Sequence, residues 1–266
     1  MTNILHEPLR VPLVIKYGGS IMTDPAARAA MAAKIDALTD YAPIVVHGGG
    51  PFIKQALAEA HVESRFVRGL RVTDDVSLPI IERTLTYVNK HLAQAFNAAI
   101  GLTGRDAQVM QAKALPELGL VGDVTAVNTR LLRTLLEHRL TPVIACLAAP
   151  ENPLSEHDKG IYNVNADSAA GAVAGALAAP VVFLSDVAGV LEDPSHPDSL
   201  IARLNSTAIS ERIADGRIAG GMIPKVEAAL HALARGAAFA VIADGRDPDH
   251  LADTLSGHSG TTIVSE

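Results

Sequence analysis

Short apolar runs rich in β-branched residues alternate along the chain with longer Ala- and Leu-rich stretches of helical period. The short runs are apolar at nearly every position, as strands are when helices cover both faces of their sheet. We predict strands at residues 13–17, 43–47, 98–102, 142–146, 181–185 and 239–243. The alternation predicts an α/β fold, an open, mainly parallel sheet sandwiched between helices.

Helix-start signals stand at the beginning of several of the longer stretches. Asp24 can cap a helix and Pro25 suits the first helical position, and the apolar spacing from residue 26 to residue 38 is that of a helix. Further helices are predicted to begin at Pro51, Asp75, Asn128, Asn165 and Pro224. These helices fall between the predicted strands.

Two other segments, residues 65–73 and 108–127, combine alternation with glycines and predict small β-hairpins over a site. Residues 148–159 are rich in turn-forming residues and are the best candidate for a lobe boundary, although a surface loop fits them equally well. We therefore predict a single domain over residues 1–266, with an N-terminal lobe of about residues 1–150 and a C-terminal lobe of about residues 151–266.

The charge balance and the cysteine count exclude some functions. The chain has 22 Lys and Arg residues against 29 Asp and Glu residues, a net charge of −7. No basic field would attract nucleic acid or anionic lipid, so we expect neither as a partner. Cys146, the only cysteine, lies in an apolar run and is predicted to be a buried thiol rather than a nucleophile. No secretory signal or membrane span is recognisable, so we expect a cytoplasmic protein.

Two glycine-rich segments each follow a predicted strand and precede a helix. They are Lys16-Tyr17-Gly18-Gly19-Ser20 and His47-Gly48-Gly49-Gly50-Pro51. Glycines let the backbone approach a ligand, and N–H groups that open a helix attract anions. In an open α/β sheet, ligands bind beyond the carboxyl ends of the strands, where both segments would lie. The pair predicts a phosphate or carboxylate site, with two tight turns as the alternative.

These segments do not match the common nucleotide-binding fingerprints. No stretch supplies the Gly-x4-Gly-Lys-Ser/Thr of a Walker A loop. The Gly-x-Gly-x-x-Gly spacing fails at the second segment because Ile53 occupies the place of the third glycine. A dehydrogenase is therefore disfavoured.

Three later segments place polar groups in apolar surroundings. They are Tyr162-Asn163-Val164-Asn165-Ala166-Asp167, Ser185-Asp186-Val187-Ala188-Gly189-Val190 and Gly220-Gly221-Met222-Ile223-Pro224-Lys225. Taken singly, each has an ordinary explanation, respectively a helix cap, a strand-end turn and a solvated helix face. Arg71, taken alone, would be interpreted as a surface charge.

In combination and order, these segments resemble the acetylglutamate kinases of the amino-acid kinase family. The matching motifs, from about residue 14 to residue 263, are Lys-Tyr-Gly-Gly-Ser, Val-His-Gly-Gly-Gly-Pro, Gly-Leu-Arg-Val-Thr-Asp, Tyr-Asn-Val-Asn-Ala-Asp, Leu-Ser-Asp-Val-Ala-Gly-Val-Leu and Gly-Gly-Met-Ile-Pro-Lys-Val. The resemblance implies ATP-dependent phosphorylation of the side-chain carboxylate of N-acetyl-L-glutamate in arginine biosynthesis. It also implies that the N-terminal lobe binds the acyl substrate and forms the dimer, and that the C-terminal lobe binds Mg-ATP.

The resemblance implies roles for particular residues as well. Lys16 and Lys225 would be the cations on the transferring phosphoryl group, with Asp167 holding both lysines in place. The residues implied to bind the acyl substrate are Gly19, Gly49, Gly50, Arg71 and Asn163. Those implied to bind ATP, which carries Mg²⁺ without an assigned protein ligand, are Ser185, Asp186, Val187, Ala188, Gly189, Val190, Leu191, Gly220 and Met222.

Members of this family differ in assembly. Some are hexamers, assembled through an extra N-terminal helix and inhibited by arginine, whereas others are dimers. Here about twelve residues precede the first predicted strand and include Pro8 and Pro12, and the segment of residues 247–262 is short. We therefore expect a homodimer that is insensitive to arginine.

Two alternatives stand beside this interpretation. The first is a related kinase that acts on carrier-bound aminoadipate, glutamate or carbamate; Arg71 in Gly-Leu-Arg-Val-Thr disfavours it because that motif suits a free α-carboxylate. The second is a non-catalytic nucleotide-binding sensor, which the joint presence of Lys16, Asp167 and Lys225 disfavours.

Overall fold

The computed structural model describes residues 10–152, 159–193, 195–196 and 198–265. The strands in these ranges are β1 Val11–Tyr17, β2 Tyr41–His47, β3 Phe66–Val67, β4 Leu70–Arg71, β5 Ala99–Thr103, β6 Met110–Ala114, β7 Val121–Val127, β8 Thr141–Ala145, β9 Leu147–Pro150, β10 Tyr162–Val164, β11 Val181–Ser185, β12 Arg203–Asn205, β13 Ala240–Asp244 and β14 Thr261–Val264. The α-helices are α1 Pro25–Asp36, α2 Gly50–Glu59, α3 Ser77–Ala93, α4 Thr129–Glu137, α5 Ala166–Leu177, α6 Ser206–Ala214, α7 Ile223–Ala234 and α8 His250–Leu255.

Eight strands form one open sheet in the order β12-β14-β13-β11-β1-β2-β8-β5. All neighbouring strands in this sheet are parallel except β13 and β14. The six strands predicted from the sequence are all present, and their ends differ from the predicted ones by at most two residues. The predicted fold class is therefore confirmed.

Side chains of β1 enter two apolar cores, one on each face of the sheet. Leu13 and Ile15 share a core with Met31 of α1, whereas Val14 belongs to the core that contains α5 and α7. Successive side chains of a strand point to opposite faces, so both faces need apolar residues. The same alternation places Lys16 on the face of Val14, toward α5.

Capping residues predicted from the sequence begin three of the helices. The Asp24 carboxylate accepts the N–H groups of Ala26 and Ala27 at 3.0 and 3.3 Å and caps α1. Asn128 caps α4 and Asn165 caps α5 in the same way. Each side chain satisfies N–H groups that have no partner inside the helix.

Helix α3 begins at Ser77, two residues after the predicted start at Asp75. The Asp74 carboxylate accepts the Ser77 N–H group at 2.8 Å and the Ser77 hydroxyl at 2.7 Å. These bonds close a turn that keeps residues 74–76 outside the helix, and they hold the pKa of Asp74 below its usual value.

Both predicted hairpins are present, because β3 pairs with β4 and β6 pairs with β7, each antiparallel. The second hairpin is part of a closed barrel in the order β10-β7-β6-β9. Its residues Met110 and Val124 lie in the same apolar core as α5, so the barrel is packed against the main sheet. Strands β9 and β10 were missed because four and three residues are too short to show a period.

Some predictions fall outside the described residues. Residues 1–9, which bear on an N-terminal helix, and residues 153–158, which belong to the possible lobe boundary, are among these. The beginning of that boundary segment lies in β9, which pairs with β6 and β10. The division into two lobes stays a prediction. Among the helices in the described ranges, none has both the length and the apolar character that a membrane crossing requires.

Candidate active site

A cleft of about 290 Å³ lies at the carboxyl ends of β1, β2 and β10. Its lining includes Lys16 and all the residues predicted to bind the acyl substrate, which are Gly19, Gly49, Gly50, Arg71 and Asn163. The structure thus brings together residues from four separate segments of the chain. Their individual roles stay predictions.

The two glycine-rich segments touch each other inside this cleft. A Cβ atom on Gly19 would lie 3.0 Å from the Gly50 nitrogen, which is closer than backbone and side chain normally come. A Cβ atom on Gly50 would meet nothing within 4 Å, so this residue faces open space. The N–H groups that open α2 lack partners inside the helix. The backbone therefore presents N–H donors to the cleft, which suits an anionic ligand.

Lys16 is held by a carboxylate of the facing helix. Its Nζ atom lies 2.9 Å from Asp167 Oδ1, and 13% of the Lys16 side chain is exposed. Asp167 lies in the first turn of α5, where its N–H group donates to Asn165 Oδ1 at 2.9 Å. Negative charge is favourable at a helix N-terminus. The predicted contact between Lys16 and Asp167 is present.

Arg71 is fixed on the hairpin of β3 and β4. Its Nη1 atom donates to Ser64 Oγ at 2.5 Å, and its guanidinium carbon lies 4.7 Å from the centre of the Phe66 ring. Burial lowers the pKa of Arg71, but a guanidinium remains charged at any physiological pH. A planar cation is thus oriented against an aromatic face at the edge of the cleft.

Thr73 connects Asn163 to the same hairpin. The Asn163 amide donates to Thr73 Oγ1 at 3.1 Å, and Thr73 is fully buried. The Thr73 backbone exchanges hydrogen bonds with Leu118 and Leu120 at 2.9 and 2.7 Å. The sequence analysis missed Thr73. Its place two residues after Arg71 in the Gly-Leu-Arg-Val-Thr motif was the available signal.

Lys225 pairs with a carboxylate other than Asp167 among the described residues, and the predicted hold of Asp167 on this lysine stays a prediction. Among described residues, its ion-pair partner is Asp186, with Nζ and Oδ1 3.9 Å apart. The cleft lining does not include Lys225. Asp186 directly follows β11, so the ammonium group of Lys225 lies near the end of the strand next to β1, which carries Lys16.

Residues 185–191, the nucleotide loop, are the segment predicted to bind ATP. One part of this loop is held in place and another part is exposed. Gly189 has a φ of +150°, and a Cβ atom there would lie 2.6 Å from Thr261 Oγ1. Thr261 accepts the Val190 N–H group at 2.8 Å, and Leu191 forms a β-bridge with Leu200. Residues 186–188, by contrast, are not buried. The loop is therefore anchored at its far end and open beside β11.

Ser185 has a buried hydroxyl without a partner at the start of this loop. It is 7% exposed, and its Oγ atom has no hydrogen bond within the described structure. A buried hydroxyl without a partner is costly, so such a group calls for an explanation. A ligand bound at the carboxyl end of β11 would supply the hydrogen-bond partner that the Ser185 hydroxyl lacks.

The other residues predicted to bind the nucleotide lie in the turn Gly220–Met222, directly before α7. Gly220 has a φ of +55°, which favours glycine, and Cβ atoms on Gly220 and Gly221 would meet nothing within 4 Å. Met222 is partly buried against the core. The turn leaves open space beside its backbone at the N-terminus of α7.

Asp244 and Arg246 form a polar pair next to the nucleotide loop that the sequence analysis missed. Asp244 lies opposite Ser185 in the sheet, and Arg246 Nε donates to Asp244 Oδ1 at 2.9 Å. These bonds lower the pKa of Asp244. The signal was the same as at Ser185 and Asp186, namely polar residues directly after an apolar strand.

Cys146 is a buried thiol, as predicted, and also lines the cleft. Burial raises its pKa to about 12, so the thiol stays protonated. Its Sγ atom donates to the His47 carbonyl oxygen at 3.0 Å. A protonated thiol engaged in a hydrogen bond is a poor nucleophile.

The residues of the described ranges contain no cluster of three or more His, Cys, Asp or Glu side chains that could hold a metal ion.

Comparisons with known proteins show the family of this chain. Residues 12–244 match the model of the amino acid kinase family. The acetylglutamate kinase of Deinococcus radiodurans is 48% identical over 95% of this chain and 100% of its own length. That of Thermus thermophilus is 44% identical over 94% of this chain and 96% of its own. The structure of Giardia carbamate kinase, 16% identical, covers 97% of this chain and 100% of its own with a TM-score of 0.71, which shows a shared fold. The chain therefore belongs to the amino acid kinase family.

Proposed function

We propose that this chain uses ATP to phosphorylate the side-chain carboxylate of N-acetyl-L-glutamate, giving N-acetyl-L-glutamyl 5-phosphate in arginine biosynthesis. The observation that carries the proposal is the cleft itself, where Lys16, the glycine loops and Arg71 face one small volume. The cations and N–H donors suit an acceptor with two carboxylates. The two bacterial relatives named above are acetylglutamate kinases and match nearly the whole chain.

The chemistry of this reaction explains why the site is built from cations and N–H donors. A carboxylate is ionised at neutral pH, so it needs no general base to attack the γ-phosphorus. Its oxygen forms the new bond as the bond to the bridging oxygen breaks, and ADP leaves with that electron pair. Two anions must meet in line, so catalysis depends on positioning and on charge neutralisation. A donor held in place before the reaction contributes roughly 3 kcal/mol.

Lys16 is in place for this task because Asp167 holds its ammonium group at the cleft. Lys225 would have to exchange Asp186 for the phosphoryl group. That pair is 3.9 Å apart, and the Asp186 side chain is 61% exposed. An exposed ion pair contributes only about 0–1 kcal/mol, so exchanging Asp186 for a phosphoryl group costs little. In this proposal both lysines bind the phosphoryl group in transfer, one from each side.

Arg71 and Asn163 would bind the acyl substrate. A guanidinium can hold a carboxylate with two parallel hydrogen bonds, and the stacking of Arg71 on Phe66 restricts the plane of that fork. Asn163 lines the cleft from β10, and its side-chain amide donates a hydrogen bond to the Thr73 hydroxyl, which orients it. The α-carboxylate would thus be bound at one end of the cleft, and the side-chain carboxylate would lie by the glycine loops.

The nucleotide would bind beyond the end of β11. Three observations support this placement, namely the buried Ser185 hydroxyl without a partner, the absence of burial at residues 186–188 and the open turn at Gly220. Mg²⁺ would enter as part of Mg-ATP, held by phosphate oxygens and water. When bound, it neutralises charge on the β- and γ-phosphates.

The proposal includes a cytoplasmic homodimer that arginine does not inhibit. Val76 and Tyr87 on or beside α3 and Ile100 on β5 are exposed apolar side chains, and β5 is the edge strand of the sheet. Exposed apolar side chains on the edge strand and on the helix next to it support an interface between protomers. The unpaired thiol of Cys146 fits a reducing compartment.

A direct assay tests the reaction. Purified protein is incubated with Mg-ATP and N-acetyl-L-glutamate, L-glutamate, N-acetyl-L-aminoadipate or carbamate, and acyl phosphate is trapped with hydroxylamine. We expect product with N-acetyl-L-glutamate at a kcat/KM at least about tenfold above that of the other acids, because only this acceptor offers both the free α-carboxylate and the right chain length. A preference for another acid would show that N-acetyl-L-glutamate is not the substrate of this chain. ATP binding without any product would indicate a non-catalytic sensor.

A further inference from the structure

His47 is a fully buried histidine directly before the second glycine loop, and the function proposed above gives it no role. Its Nδ1 atom lies 2.8 Å from the Gly48 carbonyl oxygen, and its Nε2 atom lies 3.0 Å from Asn89 Nδ2. Asn89 is also buried, and its Nδ2 atom donates to the Val143 carbonyl oxygen at 2.8 Å. These bonds connect α3, β8 and the glycine loop inside the core.

The partners determine which ring nitrogen of His47 carries the proton. The Gly48 oxygen only accepts, so Nδ1 must donate. The Asn89 amide nitrogen has two N–H bonds, one for the Val143 oxygen and one for Nε2, which must accept. With the amide reversed, the Asn89 oxygen would face the Val143 oxygen, so the network allows one orientation. His47 is therefore neutral with its proton on Nδ1, and burial lowers its pKa to about 4.

Gly101 makes room for this arrangement. A Cβ atom on Gly101 would collide with Asn89 Oδ1, so a side chain at this position of β5 would displace the amide. The Cys146 thiol also donates to the His47 carbonyl oxygen, at 3.0 Å, which fixes the backbone of His47. The ring and the main chain of His47 are thus held independently.

The orientation of one peptide plane follows from these bonds. In a trans peptide the C=O and the N–H groups point in opposite directions. The buried His47 ring holds the Gly48 carbonyl oxygen, so the N–H group of Gly49 in the same plane points away from that ring, and Gly49 lines the cleft. No described group accepts a hydrogen bond from this N–H group. It is therefore available to a ligand.

We propose that His47 is a positioning residue that turns the Gly49 N–H group toward the phosphoryl group in transfer, and that Asn89 keeps the imidazole in the tautomer that can do so. The inference rests on the proposed kinase function, because it assigns the N–H donor to that reaction. His47 itself touches no substrate. It acts only through the Gly48–Gly49 peptide.

Two variants at the same position separate this role from packing. In His47→Asn, the amide nitrogen occupies nearly the place of Nδ1 and can donate to Gly48. In His47→Gln, the amide reaches the place of Nε2 and leaves the Gly48 carbonyl oxygen without a donor. We expect the Gln variant to lose at least about tenfold in kcat with little change in the KM for ATP, and the Asn variant to recover most of that loss.

His138→Gln is the matched control. The Nδ1 atom of His138 also lies 2.8 Å from a carbonyl oxygen, that of Thr134, but His138 is exposed on the surface at the end of α4. This variant should leave kcat unchanged. Equal kcat values for the Gln and Asn variants of His47 would overturn the proposal, since a purely structural histidine gives no reason for the Asn variant to recover.

A measurement without substrate covers the case in which neither His47 variant folds. Long-range ¹H–¹⁵N correlation spectra of the unaltered chain report the tautomer and the titration of each of its ten histidines. We expect His47 to be neutral and protonated on Nδ1 from about pH 5.5 to 8. An Nε2-protonated His47, or one that titrates near its ordinary pKa, would overturn the proposal. Absence of acyl phosphate with the unaltered chain would instead reject the proposed function, and the spectra would still report on His47.

Discussion

Lys16 Nζ and Asp167 Oδ1 lie 2.9 Å apart between the sheet and the first turn of α5. The lysine comes from β1 and the aspartate from the segment after β10, so the ion pair forms only when the main sheet, the barrel and α5 are assembled. The charge of Lys16 is therefore in position at the cleft before a substrate arrives. Donors that need no rearrangement during the reaction are the most effective ones.

Removing either lysine tests the assignment of the cations. We expect Lys16→Ala and Lys225→Ala each to lower kcat at least about a hundredfold, because each loses a cation that acts on the phosphoryl group. Steady-state kinetics with the hydroxylamine trap measures the change. The control is Lys34→Ala, an exposed lysine paired with Asp249 on the surface. A correctly folded variant of either catalytic lysine with near-normal turnover contradicts the assignment.

Arg71→Lys tests recognition of the α-carboxylate. An ammonium cannot reproduce the planar fork or the stacking on Phe66, so we expect the KM for N-acetyl-L-glutamate to rise about tenfold or more while kcat changes less. The measurement is a substrate titration at saturating ATP. Arg133→Lys, at an exposed position of α4, is the matched control. An unchanged KM in the Arg71 variant removes this residue from the acyl site.

The low pKa of His47 predicts a pH dependence of stability. The unfolded chain takes up a proton on His47 near pH 6.5, whereas the folded chain does so only near pH 4. Between these values the unfolded state binds more protons, so the contribution is fully present above pH 6.5 and is lost as the pH falls toward 4. One group with this shift contributes about 3 kcal/mol to the free energy of unfolding.

Urea unfolding from pH 4 to pH 8 measures this effect against His47→Asn, which lacks the titrating ring. The titratable group in contact with His47 is the Cys146 thiol, which stays protonated in this range. The Lys16–Asp167 ion pair lies next to Cys146. The stability difference between the two proteins should shrink as the pH falls. A difference that is constant across the range would show that His47 does not titrate in this way.

The Cys146 thiol should resist alkylation in the folded protein. Its pKa is about 12 and it is buried, so little thiolate exists and the reagent has no access. We expect iodoacetamide at pH 8 to react at least about a hundredfold more slowly with the native chain than with the chain in urea. Mass spectrometry over time measures both rates. Rapid modification of the native chain would contradict the burial of this thiol.

Light scattering with an arginine titration tests the assembly. We expect a mass of twice 27.7 kDa and no change in mass or turnover when arginine is added. Tyr87→Glu replaces an exposed aromatic side chain of α3 with a charge and should shift the equilibrium toward monomer. A hexamer whose activity falls with arginine would refute the homodimer.

Local patterns in the chain were sufficient for the main elements. Apolar runs predicted the six strands of the sheet core, and side-chain caps such as Asp24 and Asn165 predicted helix starts, because both depend on residues close in sequence. The glycine segments could be placed at the carboxyl ends of strands for the same reason. The family motifs then indicated which residues would meet.

Other features depend on contacts between distant segments, and local patterns do not contain them. Strands β9 and β10 exist because they close the barrel with β6 and β7, and they are too short to show a period. The ion pair of Lys225 with Asp186 depends on how α7 packs beside the end of β11, which local patterns do not specify.

The sequence by itself determined the class of fold, the two glycine loops and the cations that suit a phosphoryl transfer, since these follow from periodicity, backbone freedom and charge. Tertiary structure decided the orientation of the groups that act. Whether the Gly49 N–H group points into the cleft depends on His47, Asn89 and Val143, which come from three different elements. A hydrogen bond has a direction and a short reach, so it can be assigned only after packing has placed its partners.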